Sequence, residues 1–479
     1  MTDDLLTLIV NETNEYARTF IETNRENLEN TPRSRVHKWT PISKEELKAF
    51  LGITLNMGLN KKPNYNAYWD SCHLSQATPW FPTHINRDRY QIILKFLHFA
   101  DNTRMPDRDD PGFKLYKVQK LINHFNLKFK FQYHPGQNIS IDESMIGFKG
   151  KTPHIRQFMP NKRHSRFGIK MWCLSDSTNG YLSQFEIYGG SQGRRTGNAH
   201  ARSFTHELII RLLTTADLLH RGHHLGIDNF FTSVDLLTEL FNENTTATGT
   251  VRVNRKGLPA FCVKKKLKNK EATSARKGNL LCLAYQDNTR KPILLSTAAK
   301  AGFIDTVNSR KQPVTRPAVI HAYNQAMGGV DLGDEKLYMY MAERRTLKWT
   351  NKVFFSLFGR AVLNSYIIYF QNTSDRPKLS RYNYIVSALE SLTANFVPPK
   401  VVRRKRTHAE MEAARSGLVQ LPQTVAGHPL DGHDLVKLPV GKKRQCVAGH
   451  PNRVRTGWEC TGCKVGLCPQ CFAKHHRQL

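Results

Sequence analysis

The first 135 residues show apolar positions at helical spacing. The segments KEELKAFLGITLNMGL (44–59) and DRYQIILKFLHF (88–99) repeat apolar side chains every three to four positions. Ser43 and Asn86 stand where N-terminal helix caps are expected. This pattern predicts a mainly helical N-terminal region.

From residue 138 the pattern changes to that of strands. NISIDESMIGF (138–148) alternates, with Ile139 and Ile141 on one face and Asp142 on the other. FGIKMWCLSD (167–176) and YLSQFEIYGG (181–190) follow, joined by STNG, whose Asn-Gly pair favours a hairpin. A helix (203–219), a strand (223–228), a second helix (233–243) capped by Ser233 and another strand (246–253) come next. This order predicts a mixed sheet with helices on its faces.

Residues 255–317 differ in composition and are interpreted as an insertion. KKKLKNKEATSARKGN (264–279) predicts a solvated charged stretch, and LLCLAYQDNTRKPILLST (280–297) predicts strand–turn–strand. Helical patterning resumes at Asp331 and continues to about 396. Within it, VFFSLFGRAVLNSYIIYF (353–370) is interrupted by Arg360, which favours a core helix over a membrane span. Residues 397–440 predict a basic linker.

The charge balance narrows the class of partner. The chain carries 71 Lys and Arg against 39 Asp and Glu, a net charge of +32 spread along its length. Such a surplus indicates a polyanionic partner, most often nucleic acid. A basic membrane-surface protein would need an amphipathic anchor or a lipidation motif, and the sequence offers neither. The N-terminus does not resemble a signal peptide, and KVVRRKR (400–406) is a weak nuclear-import motif.

Four aspartates in this basic chain are candidates for metal chemistry. Asp142 lies on the first predicted strand, Asp228 ends the fourth, and Asp331 and Asp334 share one helix face in AMGGVDLGDEKL (326–337). If the first and fourth strands are neighbours, these carboxylates meet at one edge, where a hard cation such as Mg²⁺ would neutralise them. The structural alternative is helix capping, with Asp331 as N-cap and Asp334 completing a capping box. Asp176, in the hairpin turn, is interpreted as structural.

The last 34 residues hold five of the nine cysteines. Without a secretory signal, this cluster favours metal over disulfides. The candidate ligands form four pairs, which implies two zinc ions: Cys446 with His450, Cys460 with Cys463, Cys468 with Cys471, and His475 or His476, with His433 as a spare. Reduced surface thiols are the non-metal alternative. The other four cysteines are interpreted as core thiols.

Several motifs resemble, in order, those of the piggyBac family of DNA transposases. They are IDESMIGFKGK, GIDNFFTSVDLL, TGTVRVNRKGLP, YNQAMGGVDLGD and RRTLKWT, within residues from about 5 to 395, and a cysteine-rich tail follows. The resemblance implies cut-and-paste transposition at TTAA targets with hairpinned transposon ends and scarless excision. It also implies an α/β ribonuclease H-like core, in which a mixed sheet has helices on both faces and is interrupted by an insertion domain. A flanking helical dimerisation/DNA-binding domain and a small C-terminal cross-brace zinc domain complete this fold.

The resemblance carries roles onto particular residues. Asp142, Asp228 and Asp331 match the catalytic acids that bind Mg²⁺ or Mn²⁺, and Asp334 matches a fourth essential aspartate. In a cross-brace the first ligand pair joins the third and the second joins the fourth. The expected domains are an N-terminal helical part (1–135), catalytic core (136–254 and 318–340), insertion domain (255–317), C-terminal helical part (341–396), linker (397–440) and zinc domain (441–479).

Basic residues beside the catalytic motifs are candidate DNA contacts, although single charge runs are usually solvated faces. They are Lys162, Arg163, Arg166, Lys170, Arg252, Arg255, Lys256, Arg344, Arg345 and Lys348, joined by Trp349, which either stacks on an unpaired base or belongs to the core. The expected partner is double-stranded DNA, comprising transposon terminal repeats and a TTAA target. A homodimer in the nucleus is expected, with no membrane and no small-molecule substrate. The alternatives are a domesticated transposase-derived DNA- or chromatin-binding protein without cleavage, and a metal-dependent nuclease without strand transfer.

Overall fold

The computed structural model divides into two compact units, Met1–Pro398 and Pro399–Leu479. The residues that the structure describes are 1–150, 152, 155–160, 166–190, 203–307, 310–342, 346–374, 377–398, 434–439, 443–447, 455–469, 471–472 and 475.

The N-terminal region is helical, as predicted. Its α-helices are α1 (Asp3–Thr23), α2 (Arg25–Glu29), α3 (Lys44–Leu59), α4 (Trp80–His84), α5 (Arg87–Phe96) and α6 (Tyr116–Gln132), with 3₁₀ turns at Arg35–Lys38, Asn66–Tyr68, Leu74–Gln76 and Asn102–Arg104. The Ser43 side chain accepts a hydrogen bond from the Glu46 amide, and that of Asn86 accepts one from Arg89. Both predicted caps are therefore confirmed.

A nine-stranded mixed sheet follows, which confirms the predicted mixed sheet with helices. Its strands are β1 (Asn138–Gly147), β2 (Arg156–Phe158), β3 (Phe167–Asp176), β4 (Leu182–Ile187), β5 (His224–Ile227), β6 (Thr246–Thr250), β7 (Ala272–Lys277), β8 (Leu280–Tyr285) and β9 (Ile293–Ser296). The order is β2-β3-β1-β5-β6-β9-β8-β7, with β4 also paired to β3. Strands β1, β5 and β6 are parallel neighbours. Antiparallel pairing joins β1 to β3 and β6 to β9.

The two faces of this sheet bury different cores. Helices α7 (Phe204–Ala216) and α8 (Val234–Asn242) and the short α9 (Ala260–Lys264) join Ile139 and Ile141 in one hydrophobic cluster. On the opposite face, Ile146 and Cys173 belong to a larger cluster shared with the N-terminal helices. The side chains of Ser140, Asp142 and Ser144 alternate onto this second face.

Between residues 255 and 340 the structure corrects three predictions: the charged stretch contains a strand, helical structure resumes earlier, and Asp331 is not a helix N-cap. Strand β7 lies inside the stretch predicted to be solvated and charged. Because β7 is an edge strand, its charged side chains can reach solvent. After the hairpin of β10 (Phe303–Val307) and β11 (Pro313–Pro317), helical structure resumes at α10 (Ala318–Ala326), earlier than predicted. Helix α11 (Gly329–Tyr340) then begins before Asp331, and its N-cap is Gly328 at φ 105°. Asp331 is therefore not the N-cap, because Gly328, in a left-handed conformation that glycine adopts readily, already starts the helix.

Helix α12 (Trp349–Asn372) packs as a core helix and is followed by α13 (Arg381–Thr393). Val353, Phe354 and Leu357 of α12 are fully buried in the larger cluster. In the described part of the chain, α12 is the one helix whose length and composition suit a membrane span, and half of its apolar window is buried. Core helices of soluble proteins can have the same length and composition.

The second unit contains short strands around its cysteines. They are β12 (Leu435–Lys437), β13 (Arg444–Gln445), β14 (Arg455–Thr456) and β15 (Trp458–Cys460), paired β12 with β15 and β13 with β14. Most of the predicted linker, including KVVRRKR, lies outside the described residues. The domain boundaries given above stay predictions.

Candidate catalytic site and C-terminal metal site

Sheet register brings Asp142 and Asp228 side by side. The parallel pairing of β1 and β5 ends at Ile141 opposite Ile227; Asp142 is the next residue of β1, and Asp228 directly follows β5. Neighbouring strands lie about 4.8 Å apart. Ile141 and Ile227 both enter the cluster under α7 and α8, so the two aspartates face the opposite side of the sheet. Each carboxylate accepts one backbone hydrogen bond at 2.8 Å, Asp142 from Glu143 and Asp228 from Phe230.

Helix α11 carries Asp331 over the same face. An added Cβ at Gly329 would meet the Asp176 carbonyl at 2.6 Å and the Ser140 hydroxyl at 2.7 Å, so the helix start rests directly on β3 and β1. Asp331 is exposed in the first turn of α11, where the positive end of the helix dipole favours a carboxylate.

Tyr323 of α10 lies near all three acids. Burial raises the pKa of its phenol, and the carboxylates of Asp228, Asp142 and Asp331 each raise it further. Its hydroxyl also hydrogen-bonds the side chain of Thr250, at the end of β6. Each of the three carboxylates therefore lies close enough to this phenol to affect it electrostatically. Sequence reasoning missed Tyr323, whose only signal is its place in the YNQAMGGVD motif.

The donor set fits a hard divalent cation. Carboxylate oxygens suit Mg²⁺ or Mn²⁺, and all three come from short aspartate side chains tied to a strand or a helix start. Among the described residues, the group whose ligand atoms all lie within 4.8 Å of one another is made of cysteines, so the three aspartates are spaced more widely. Residues that can hold the metal are therefore Asp142, Asp228 and Asp331.

Asp334 is engaged differently from the other three acids. Its two oxygens accept hydrogen bonds from the Ser144 hydroxyl at 2.9 and 2.7 Å, and Arg360 of α12 donates to it at 2.7 Å. Burial alone would lower the pKa of the Arg360 guanidinium, but Asp334, together with Cys173 and Tyr338, raises it above its ordinary value. Sequence reasoning noted Arg360 only as an interruption of an apolar run.

Asp176, interpreted from the sequence as structural, has a full set of partners. It accepts hydrogen bonds from the Tyr133 hydroxyl and from the amides of Gly136 and Thr178, at 2.7 to 2.9 Å. It is 1% exposed. These contacts close the hairpin turn under α11.

The predicted DNA contacts in and near the first two catalytic motifs differ in their surroundings. Lys170 lies on the sheet face opposite Asp142, with its ammonium 3.7 Å from the Trp172 ring centre. Arg252 donates to the Asn229 side chain and Arg255 to the Phe230 carbonyl, so both brace the loop after Asp228. Arg166 and Lys256 are exposed. Lys162, Arg163, Arg344 and Arg345 lie outside the described residues.

Lys348 directly precedes α12, and Trp349 is the first residue of this helix. Lys348 donates to the Lys95 carbonyl, and burial, followed by Lys95 and Lys117, lowers its pKa to about 8. Cations placed this close favour a polyanionic neighbour. Trp349 is half-buried against the larger core cluster, which agrees with the core alternative.

The C-terminal unit brings three thiols together. The ligand atoms of Cys446, Cys468 and Cys471 all lie within 4.8 Å of one another. A hydrogen bond with the neighbouring Cys468 thiol, followed by burial and by the charge of Cys468, raises the pKa of Cys471 to about 11. Cys446, from the first predicted ligand pair, therefore meets both cysteines of the third, and this sulfur set fits zinc.

Cys460 and Cys463 form a separate turn, closed by a bond from the Cys463 amide to the Cys460 sulfur. His475 is described in the same unit and is half-buried. His450, His476 and the spare His433 lie outside the described residues.

Comparisons with known proteins identify the family. A family model described as "Transposase IS4" matches residues 1–366. The human PiggyBac transposable element-derived protein 3 is 28% identical over 452 residues, which cover 91% of this chain and 71% of that protein. The human PiggyBac transposable element-derived protein 2 is 27% identical over 72% of this chain, which spans only 56% of that relative's length.

Among solved structures, the piggyBac transposase synaptic complex with hairpin DNA, determined by cryo-EM, is similar to this chain. It matches with a TM-score of 0.70 and 25% identity, over 98% of this chain and 93% of that one. The family match over residues 1–366, the two relatives and this likeness agree. The chain belongs to the piggyBac family of DNA transposases.

Proposed function

We propose that this protein is a cut-and-paste DNA transposase that uses three aspartates and a divalent metal. In this proposal it cleaves strands at transposon ends through hairpin intermediates and joins them to TTAA targets. The observation that carries it is the placement of Asp142, Asp228 and Asp331, from three distant segments, on one face of the sheet: strand register sets the first two side by side, and the start of α11 rests on β1 and β3. A structural role would not require three acids on one sheet face of so basic a chain.

We infer that the strands around β1 and β5 form a ribonuclease H-like core, with residues 255–317 as its insertion. The antiparallel β4-β3-β1 segment followed by parallel β5 and β6 supports this. Strands β7 to β9 continue the same sheet beyond β6, so the insertion would extend the core sheet at its edge.

The residues of the chain divide the catalytic work by position. Asp142 and Asp228, fixed by backbone register, would hold metal on the sheet, and Asp331 would complete the site from the helix. Bound Mg²⁺ or Mn²⁺ would supply an activated nucleophile and stabilise the leaving oxygen in phosphoryl transfer. Burial, with the three carboxylates, raises the pKa of Tyr323, so its hydroxyl stays protonated beside the acids.

The proposed partner is double-stranded DNA, bound by a homodimer in the nucleus. The net charge of +32 supports phosphate binding, and the similar cryo-EM structure is a transposase complex with DNA. The names of the two human relatives, which describe them as derived from transposable elements, favour a second candidate: a DNA- or chromatin-binding protein that no longer cuts. Retention of all four aspartates favours the first.

Asp228→Asn tests the proposal. The asparagine oxygen still accepts the Phe230 amide, so the loop keeps its shape, but a negative metal ligand is lost. Nicking of end DNA with Mg²⁺ should fall at least about a hundredfold, with DNA affinity unchanged or slightly higher. Asp235→Asn, which removes an exposed acid from the first turn of α8, is the matched control and should nick normally. Wild-type nicking by Asp228→Asn would refute the metal-ligand role. DNA binding without nicking by the unaltered protein would favour the second candidate.

A further inference from the structure

An ion pair inside the core joins α12 to α11. Arg360 is the charged residue in the middle of an apolar helix, and its side chain is 4% exposed. It lies 2.7 Å from Asp334, whose side chain is 17% exposed. A guanidinium in such a place is strongly destabilising unless it is paired.

Ser144 of β1 completes the group. Its hydroxyl accepts a hydrogen bond from Arg360 at 2.6 Å and donates to Asp334. The three residues therefore link β1, α11 and α12. Two of these elements carry proposed metal ligands on the same face: Asp142 lies two residues before Ser144, and Asp331 lies one helical turn before Asp334.

Stability alone does not account for this group. Buried ion pairs are often no more stabilising than apolar residues of similar size. The Nε atom of Arg360 is buried with no hydrogen-bond partner among the described residues, so the arrangement is not optimised for stability. What the group does fix is the rotation and height of α11 on β1, because a planar guanidinium and a hydroxyl can donate to one carboxylate in few orientations.

We infer that Asp334, Arg360 and Ser144 form a positioning network that holds Asp331 beside Asp142, and that Asp334 is not itself a metal ligand. The inference rests on the proposed function. It assigns Arg360 and Ser144 a part in the site, and it explains an acid near the metal ligands whose oxygens are already occupied by protein donors.

Arg360→Lys is the principal test, because lysine keeps the charge but loses the planar fork. Hydrogen exchange of the peptide covering residues 326–340 reports how firmly α11 is held, with or without metal. A titration of nicking against Mg²⁺, and of protein against Mn²⁺, reports the metal site. We expect faster exchange in α11 and a metal requirement raised about tenfold or more, the range typical of residues that support ligands.

Arg89→Lys is the matched control. Arg89 pairs with Glu46 at 2.6 Å, with side chains 14% and 11% exposed, in the N-terminal helices. Its substitution should cost comparable stability but leave α11 exchange and the metal midpoint unchanged. If Arg360→Lys fails to fold, the double variant Asp334→Asn/Arg360→Met removes both charges and leaves no unpaired ion. It should fold, and show the same loosening of α11.

Unchanged α11 exchange and an unchanged metal midpoint in Arg360→Lys, or in the double variant where that one is used, would overturn the inference. The inference would also be overturned if Asp334→Asn lost metal binding completely while Arg360→Lys bound metal as the unaltered protein does. That pattern is expected of a direct metal ligand. If the unaltered protein neither binds Mn²⁺ nor nicks DNA, the proposed function fails. The exchange comparison still decides whether the network positions α11.

Discussion

His224 of β5 is a buried imidazole a few residues before Asp228. It is 8% exposed, and its Nδ1 lies 2.9 Å from the Thr246 hydroxyl, while Nε2 is buried with no hydrogen-bond partner in the part of the chain that the structure describes. Burial lowers its pKa from 6.5 to about 4. The folded protein therefore holds this imidazole neutral, and the unfolded chain binds its proton more tightly.

We expect the free energy of unfolding to fall as the pH drops from 6.5 towards 4. The contribution of neutral His224 is fully present above the unfolded pKa and is lost as the pH falls towards the folded pKa, a loss of about 3 kcal/mol. His224→Gln cannot be protonated, so its stability should depend less steeply on pH, as measured by urea unfolding across this window. His98, with its pKa also lowered to about 4, leaves a residual slope. Equal slopes in variant and wild type would contradict this account.

The acids of the site could be predicted from the sequence because each belongs to a distinctive local motif. Ser144, Arg360 and Tyr323 could not, because their roles depend on which segments the fold makes adjacent. Ser144 and Arg360 are separated by 216 positions and meet at 2.6 Å. No periodicity within either segment carries that contact.

The approach of α11 to the β3–β4 hairpin depends on two glycines. Gly180 of the turn has φ +79°, a conformation that other residues rarely adopt. An added Cβ at Gly333 of α11 would lie 2.8 Å from the Gly180 carbonyl oxygen, a backbone atom that cannot move aside. The helix therefore lies closer to the turn than an ordinary side chain allows.

Gly333→Ala should destabilise the protein, although alanine favours a helix by about 1 kcal/mol. The clash pushes α11 off the hairpin and should cost about 1–3 kcal/mol net, with nicking reduced because Asp331 moves along with the helix. Gly189→Ala is the control, since its Cβ would meet only side-chain atoms at 3.7 Å or more. Thermal melting of the two variants checks this, and a Gly333→Ala protein as stable as wild type would show that α11 can shift freely.

Element prediction succeeded where local signals agreed with packing. Ser233 caps α8 as expected, and strands β1, β3 and β5 follow their alternating or apolar patterns. It failed for β7, whose charged residues resemble a loop until the exposed edge of the sheet is known. It also failed for α10, since that helix begins directly after the prolines of β11 without a side-chain cap.

The described residues of the large unit form extensive apolar cores, whereas those of the small C-terminal unit form one small cluster. The apolar cluster of the small unit consists mainly of cysteines around Leu467. Such a core is too small to fold unaided, so zinc binding would supply the folding free energy, on the order of 10 kcal/mol per site.

We expect about two zinc ions to copurify with each chain. Chelation should unfold the C-terminal unit while Met1–Pro398 keeps its melting transition. Cys468→Ser should lose one zinc, because this thiol belongs to the Cys446 cluster.

Deleting residues 441–479 should weaken binding of transposon-end DNA and leave metal binding at the aspartates intact. Metal analysis and calorimetry check these outcomes, and freshly purified protein without zinc would contradict them.

The direction of the strands determines where a foreign sequence can be added. Strand β8 runs antiparallel to β9, which runs antiparallel to β6, so β8 begins at the end of the sheet away from Asp228. The turn from Lys277 to Leu280 lies there, and an added Cβ at Gly278 would meet nothing within 4 Å. Exposed turns of this kind accept insertions readily. A fluorescent reporter inserted at Gly278 would therefore allow binding to DNA to be followed in cells while the end of the sheet that carries Asp142 and Asp228 stays open.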